Sequence, residues 1–236
     1  MIVGIHQPEH LPWLGFFHKM YLSDVFVLLD NVQYRKNYFQ NRNRIRTSTG
    51  SCWITVPVLT EGRSSQLINE VQINQNDRKW QQRIWRSIEQ NYSRAPFFAE
   101  YGLPLKEIYC GQVWYRLVDL NIELIKRLTE WLGSKTELVV ASTLGVAGTS
   151  TDLLLAICQR LNATVYLSGR FGADYLDESK FRSAGIRVVY QHFTHPEYRQ
   201  VYKPFVPQMS VIDLLMNHGR ESLKILTGGQ DSLALE

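Results

Sequence analysis

The chain has 236 residues, 44% hydrophobic and 20% charged, which is enough to bury a sizeable core. Its net charge of +4 is too weak to mark a nucleic-acid binder and suits an anionic small-molecule substrate, a nucleotide or sugar phosphate. Three widely spaced cysteines (Cys52, Cys110, Cys158) argue against a disulfide framework or a cysteine metal site and for a cytoplasmic compartment; the start MIVGIHQPEH does not read as a signal peptide, and no window is apolar enough to span a membrane.

In chain order, IVGIH (2–6) predicts a buried strand and LPWLGFFHKMYL (11–22) a helix with Pro12 in its first turn. DVFVLLD (24–30) predicts a second buried strand with a carboxylate at each end. RNRIRT (42–47) and CWITVPV (52–58) flank STGS, a hairpin signal with Gly50 in the turn, and INEVQI (68–73) reads as a further strand. From Asp77, a candidate N-cap, apolar residues at Trp80, Ile84, Ile88 and Tyr92 predict a helix. Another follows, with Leu117, Val118, Asn121, Leu124, Ile125, Leu128, Trp131 and Leu132 on one stripe and Gly133 as its stop. The last third alternates: strands at 137–142, 164–169 and 186–191, helices at 149–161, 177–185 and 210–226, the last broken near Gly219. Val-, Ile- and Leu-rich strands separated by helices predict an α/β fold: a three-layer, mostly parallel, Rossmann-like sheet. We expect one domain over 1–226, with a hairpin excursion (about 40–60) and an added helical segment (about 77–133), and a frayed tail at 227–236.

In open α/β sheets ligands bind beyond the carboxyl ends of the strands, and three polar clusters fall there. His6 and Gln7 end the first strand ahead of a helix N-terminus, where His6, Gln7 or His10 could contact substrate or cap the turn. A metal would need ligands beyond the His-x-x-x-His pair, so no metal site is assigned. The block DNVQYRKNYFQNRNRIRT (30–47) interleaves arginine, amide and aromatic side chains. Its arginines suit phosphate, its amides suit sugar hydroxyls or a base edge, and its rings could stack; a solvated hairpin face or an RNA contact are the alternatives. The third cluster, YLSGRFGADYLD (166–177), offers Ser168, Gly169 and Gly172 as a phosphate cradle, with Asp174 and Tyr175 to orient or deprotonate a substrate group. Its other reading is a glycine turn with Asp174 capping the next helix. GVAGTST (145–151) lacks a P-loop lysine and reads as a helix start, while His192 and His195 could reach the same face. No catalytic triad, nucleophile elbow or activated cysteine is visible.

Together these blocks resemble the WbqC-like family. The residues that carry the resemblance are Gln7, Pro12, Trp13, Gly15 and Phe17, then Asp30, Val32, Gln33, Tyr34, Lys36, Asn41, Arg42, Asn43 and Ile45. Later come Tyr166 to Gly169, Asp174 to Leu176, His195, Pro196, Tyr198 and Gln200, and finally Ser210, Asp213 to Leu215, Asn217 and Gly219. The chain departs from the family pattern at His6 and His10, which moves weight to Gln7 and to Pro12–Trp13. The resemblance implies an enzyme of surface-polysaccharide biosynthesis, of the O-antigen or lipopolysaccharide kind. It would transfer an aminoacyl or acyl group to the amine of a nucleotide-linked amino sugar. On that reading Lys36, Arg42 and Arg46 hold the diphosphate, and Gln7, Asn41 and Asn43 hold sugar or base. His6 or Asp174 takes the amine proton. Trp13, Gln33, Tyr34, Ser168, Gly169, Tyr175 and His195 complete the expected binding surface, and the donor is ATP (with Mg) or an acyl or aminoacyl carrier. The alternatives are a nucleotidyltransferase-like or ATP-adenylating enzyme and a non-catalytic RNA- or partner-binding module.

Overall fold

The computed structural model describes residues 1–63 and 65–229, so most of the tail expected to fray lies outside the described residues. The strands are β1 (Ile2–His6), β2 (Val25–Leu28), β3 (Arg42–Thr47), β4 (Gly50–Thr55), β5 (Glu137–Val140), β6 (Val165–Ser168) and β7 (Arg187–Tyr190). The helices are α1 (Leu14–Tyr21), α2 (Trp80–Tyr92), α3 (Phe98–Cys110), α4 (Leu117–Leu132), α5 (Ser150–Arg160), α6 (Glu178–Ser183), α7 (Val211–His218) and α8 (Ser222–Thr227).

Five strands form one parallel sheet in the order β5-β2-β1-β6-β7. Alternation along each strand splits the core. Val3, Ile5, Val25 and Val27 pack with Leu153, Ile157 and Phe181 of α5 and α6. Phe26 and Leu28 face the other way, onto Phe16, Met20 and the residues of α2, α3, α4 and α7. This period of two, with helices on both faces, makes the three-layer arrangement. It is the Rossmann-like α/β class that the strand and helix order predicts.

The chain runs from β2 to β5 by a long crossover, residues 29–136, which holds the β3–β4 hairpin and α2 to α4. The hairpin pairs Arg42 with Thr55 and Thr47 with Gly50; Gly50 has φ +141, a conformation that favours glycine. Three local expectations change. Residues 68–73 do not form a strand: Ile68–Glu70 is a 3-10 turn, closed where the Leu67 amide donates to Glu70 Oε2 at 2.8 Å. Asp77 does not cap α2, which starts at Trp80; its carboxylate pairs with Arg83 at 2.5 Å on the surface. Pro12 precedes the first turn of α1, because Trp13 is the N-cap.

Gly4 sits in the middle of β1, with Ser23 and Phe26 packed against its Cα. A Cβ there would lie 2.3 Å from Ser23 Oγ and 2.9 Å from the Phe26 ring. Gly4→Ala is expected to destabilise the fold by about 1–3 kcal/mol through overpacking, read as a lower urea midpoint at unchanged slope.

Candidate functional site

Sheet order reverses between β1 and β6, which lie side by side while their crossovers run to opposite faces. The carboxyl ends of these two strands therefore open a crevice, the usual ligand position in such a sheet. Two cavities of about 440 Å³ each meet there. His6, Tyr38, Gly169 and Phe171 line both. One cavity is walled by aromatic rings, among them Trp13, Phe16, Phe39 and Phe193. The other lies toward α5 and is lined by Gln7, Lys19, Arg35 and Ser150, the first residue of that helix.

His6 is the pivot. Its Nδ1 lies 3.0 Å from the Gln7 carbonyl oxygen. A carbonyl can only accept, so Nδ1 carries the proton and Nε2 keeps a lone pair. Burial holds the imidazole pKa down at about 4, with Lys19 nearby adding to the shift, so the ring is neutral at pH 7. Gln7 is oriented in a similar way. The Arg35 amide donates to Gln40 Oε1 at 2.8 Å, which turns Gln40 Nε2 toward Gln7 Oε1 at 2.6 Å. The Gln7 amide nitrogen is left as a donor at the cavity wall.

Two charged residues at the crevice were not among the expected site residues. Lys19 of α1 is 2% exposed, and its Nζ donates to the Ile5 carbonyl at 2.6 Å. Burial lowers its pKa to about 7. Glu9 is 3% exposed, and burial raises its carboxyl to about 8. A signal for Lys19 was present in the sequence: a single lysine among Phe16, Phe17 and Met20 in a short apolar helix. Glu9 carried no periodic signal, because it lies in the loop after β1.

Of the expected residues, His6, Gln7, Trp13, Gly169, Tyr175 and His195 line the crevice. His195 offers a ring face only: Nδ1 donates to the Pro196 carbonyl at 2.8 Å, and Nε2 accepts from the Gln208 amide at 3.1 Å. Others are held by the protein itself. Asn121 donates through Nδ2 to the Gln40 carbonyl, so its Oδ1 accepts from His10 Nδ1 at 3.2 Å, and Tyr109 donates to His10 Nε2 at 2.9 Å. Asn43 donates to the Leu11 carbonyl at 2.8 Å, fixing a turn in which Leu11 has φ +43. Asn41 donates to the Val56 carbonyl at 2.9 Å. Arg46, 1% exposed, donates to Gln200 Oε1 and to the carbonyls of Thr47, Gly50 and Pro204. His10, Asn41, Asn43 and Arg46 are thus buried and bonded within the protein, with Asn41 Oδ1 left unpartnered.

The remaining expected residues also stand apart from the two cavities. Arg42 donates to the Asn37 carbonyl and lies over Trp53 at 4.5 Å. Tyr34 is buried, with its phenol pushed up to about 12 by burial. Gln33 and Lys36 are exposed on the same segment. Ser168 Oγ is buried beneath the turn after β6, where a Cβ on Gly172 would meet it at 2.0 Å. Asp174 is exposed at the end of that turn, and Asp177 caps α6 instead, accepting from the Ser179 amide at 3.1 Å.

Among the described residues no group of three or more His, Cys, Asp or Glu could hold a metal ion, and no helix is long and apolar enough to cross a membrane. The model of the WbqC-like protein family matches residues 7–225. The uncharacterized protein Rv1507c of Mycobacterium tuberculosis (strain ATCC 25618 / H37Rv) is 38% identical over 221 residues, covering 93% of this chain and 95% of that protein. No solved structure matches the chain.

Lys19 leaves a signature in stability. Its pKa falls from 10.5 to about 7 on folding, so between those values the unfolded chain binds more protons and stability rises with pH. Lys19→Met is expected to flatten that rise and to increase Tm near neutral pH, read by thermal unfolding at a series of pH values. Above about pH 8 the Glu9 contribution has ended while the buried Cys158 thiol and the tyrosines still contribute, so the difference in slope between Lys19→Met and the unaltered chain is what reports Lys19. An unchanged slope would show that Lys19 is solvated.

Proposed function

The chain belongs to the WbqC-like protein family, and from that premise we propose that it is a cytoplasmic enzyme of bacterial surface-polysaccharide assembly, transferring an aminoacyl or acyl group to the amine of a nucleotide-linked amino sugar. The observation that carries this reading is His6, a neutral imidazole with a free Nε2, placed beside the Gln7 amide donor where the two cavities meet.

Amide formation needs a neutral amine, an activated carboxyl and a donor for the developing oxyanion. In the proposed reaction the amine nitrogen bonds to the carbonyl carbon. His6 Nε2 takes the proton the amine loses, and Gln7 Nε2 donates to the oxyanion. As the carbonyl regenerates, the bond to the leaving group breaks and His6 returns the proton to it. Arg35 and the first turn of α5 border the second cavity, with Lys19 buried behind them, and the positive character of the arginine and the helix start suits a diphosphate. This shifts the phosphate contact away from Arg42 and Arg46. The donor of the transferred group would be an ATP-activated, thioester-bound or tRNA-borne carboxyl. The cavities hold one carboxylate, Glu9, so the residues present do not make a resident magnesium site; an ion serving ATP would arrive on its phosphates.

Nucleotidyl transfer or adenylation would use the same crevice, but with His10 locked against Asn121 and Tyr109 it would have one opening histidine instead of two. Pyrophosphate release from ATP with a candidate co-substrate would favour it. An RNA-binding role would rest on the hairpin arginines, of which Arg42 and Arg44 already lie over Trp53.

His6→Gln is expected to lower turnover by about 100-fold or more while nucleotide-sugar binding persists, because a general base acts on the rate of the chemical step. The check is product formation by mass spectrometry alongside a thermal-shift screen of nucleotide sugars. Full activity in His6→Gln, or no nucleotide sugar that stabilises the protein, would refute the reading.

A further inference from the structure

Glu9 is the unexplained group of the crevice. It is 3% exposed, its Oε2 is buried with no partner, and no ion pair among the described residues reaches it. An unpaired buried carboxyl oxygen carries a desolvation penalty that a ligand can relieve. The carboxyl faces the aromatic cavity, where Trp13 meets Phe193 edge to face at 5.5 Å and Tyr38 meets Phe39 at 5.3 Å. Ring faces around a carboxyl favour a cation, attracted both by charge and by the aromatic quadrupoles.

The positive groups on the same cavity do not fill that position. Arg44 lies over Trp53 and donates to Gln208 Oε1 at 3.1 Å, and Arg170 is exposed over Phe171. Lys19 influences Glu9 electrostatically, but its Nζ is bonded to Ile5 and does not line this cavity. We propose that the aromatic cavity binds a primary ammonium group, held by the Glu9 carboxylate and the ring faces of Trp13 and Phe193, the Tyr38 ring being already covered by the Arg35 guanidinium at 5.0 Å. The inference deepens the transfer reading by seating the acceptor amine as its ammonium, from which the Glu9 carboxylate takes one proton to leave the neutral nucleophile before attack, and it rests on that reading only for what carries the amine.

Binding is coupled to protonation. Free Glu9 titrates at about 8, among His6, Lys19, Tyr38, Arg44, Arg170 and His195. An ammonium ligand favours the ionised carboxylate, so for cyclohexylamine, which stays protonated throughout, binding near pH 7 releases a proton and affinity climbs toward pH 8.

The test is titration calorimetry of the full chain with paired probes: glucosamine against glucose, and cyclohexylamine against cyclohexanol. Each amine is expected to bind at least about tenfold more tightly than its hydroxyl partner, with proton release seen by changing the buffer. Glu9→Gln should abolish the preference, and Phe193→Leu should reduce it severalfold. Equal binding within each pair, or a preference that survives Glu9→Gln, overturns the proposal; so does glucose binding that is lost with glucosamine binding in Glu9→Gln, which would mark a hydroxyl seat. Should Glu9→Gln not fold, an undiminished preference in Phe193→Leu overturns it. Amine preference without any acyl product would sink the transfer reading alone, and product formation without amine preference would sink this proposal alone.

Discussion

The Arg35 backbone amide donates to Gln40, Gln40 donates to Gln7, and the strand-end chemistry is oriented from there. A side-chain amide can present either end, and only a partner of fixed polarity decides which. Here a backbone N–H, which can only donate, sets the direction of the whole relay. Asn43 adds a bond to the Leu11 carbonyl, and the His10 amide donates to the Phe39 carbonyl at 2.9 Å. The loop after β1 is thereby tied to the segment around the hairpin. Without those bonds the buried amides would each lose about 1–3 kcal/mol, and Gln7 would have no preferred face.

The two cavities follow from the sheet. Successive residues of β1 point to opposite faces, and the crossovers on either side of β1 leave toward opposite layers. The crevice is therefore walled on one side by α1 and the aromatic loops and on the other by α5. The two sides differ in charge chemistry as well. One places a lysine and an arginine near a helix N-terminus, and the other places a lone carboxyl among rings. His6 belongs to both because it is the last residue of the central strand.

Much of the framework was legible. Apolar strands alternating with amphipathic helices announced a parallel three-layer sheet, and the strand ends located the crevice through His6, Gln7 and Gly169. The amide-rich block was harder to read for a physical reason: composition shows that Asn41, Asn43 and Arg46 are polar, but only the fold shows that they donate to backbone carbonyls. Ligand and loop offer the same hydrogen-bonding groups, so the sequence cannot tell them apart. Lys19 failed in the opposite direction, since a lysine on a helix ordinarily reaches solvent and this one ends beneath β1. INEVQI alternates like a strand, yet the Glu70 side chain closes a turn on Leu67, and Gln72 and Ile73 make isolated bridges, to Arg116 and Val58.

The central position of β1 has a consequence for synthesis. Its partner β2 follows within about thirty residues, but β6 on its other side begins at Val165, and the Met1 carbonyl accepts from the Thr164 amide at 3.0 Å. A chain leaving the ribosome N-terminus first presents β1 long before that edge can be covered. Over the roughly 160 residues made between β1 and β6 the nascent chain leaves that apolar strand edge unpaired, the kind of surface that pairs with other chains. Such a topology couples yield in the cell to elongation rate and to chaperones that shield the N-terminal segment, independently of how stable the finished protein is.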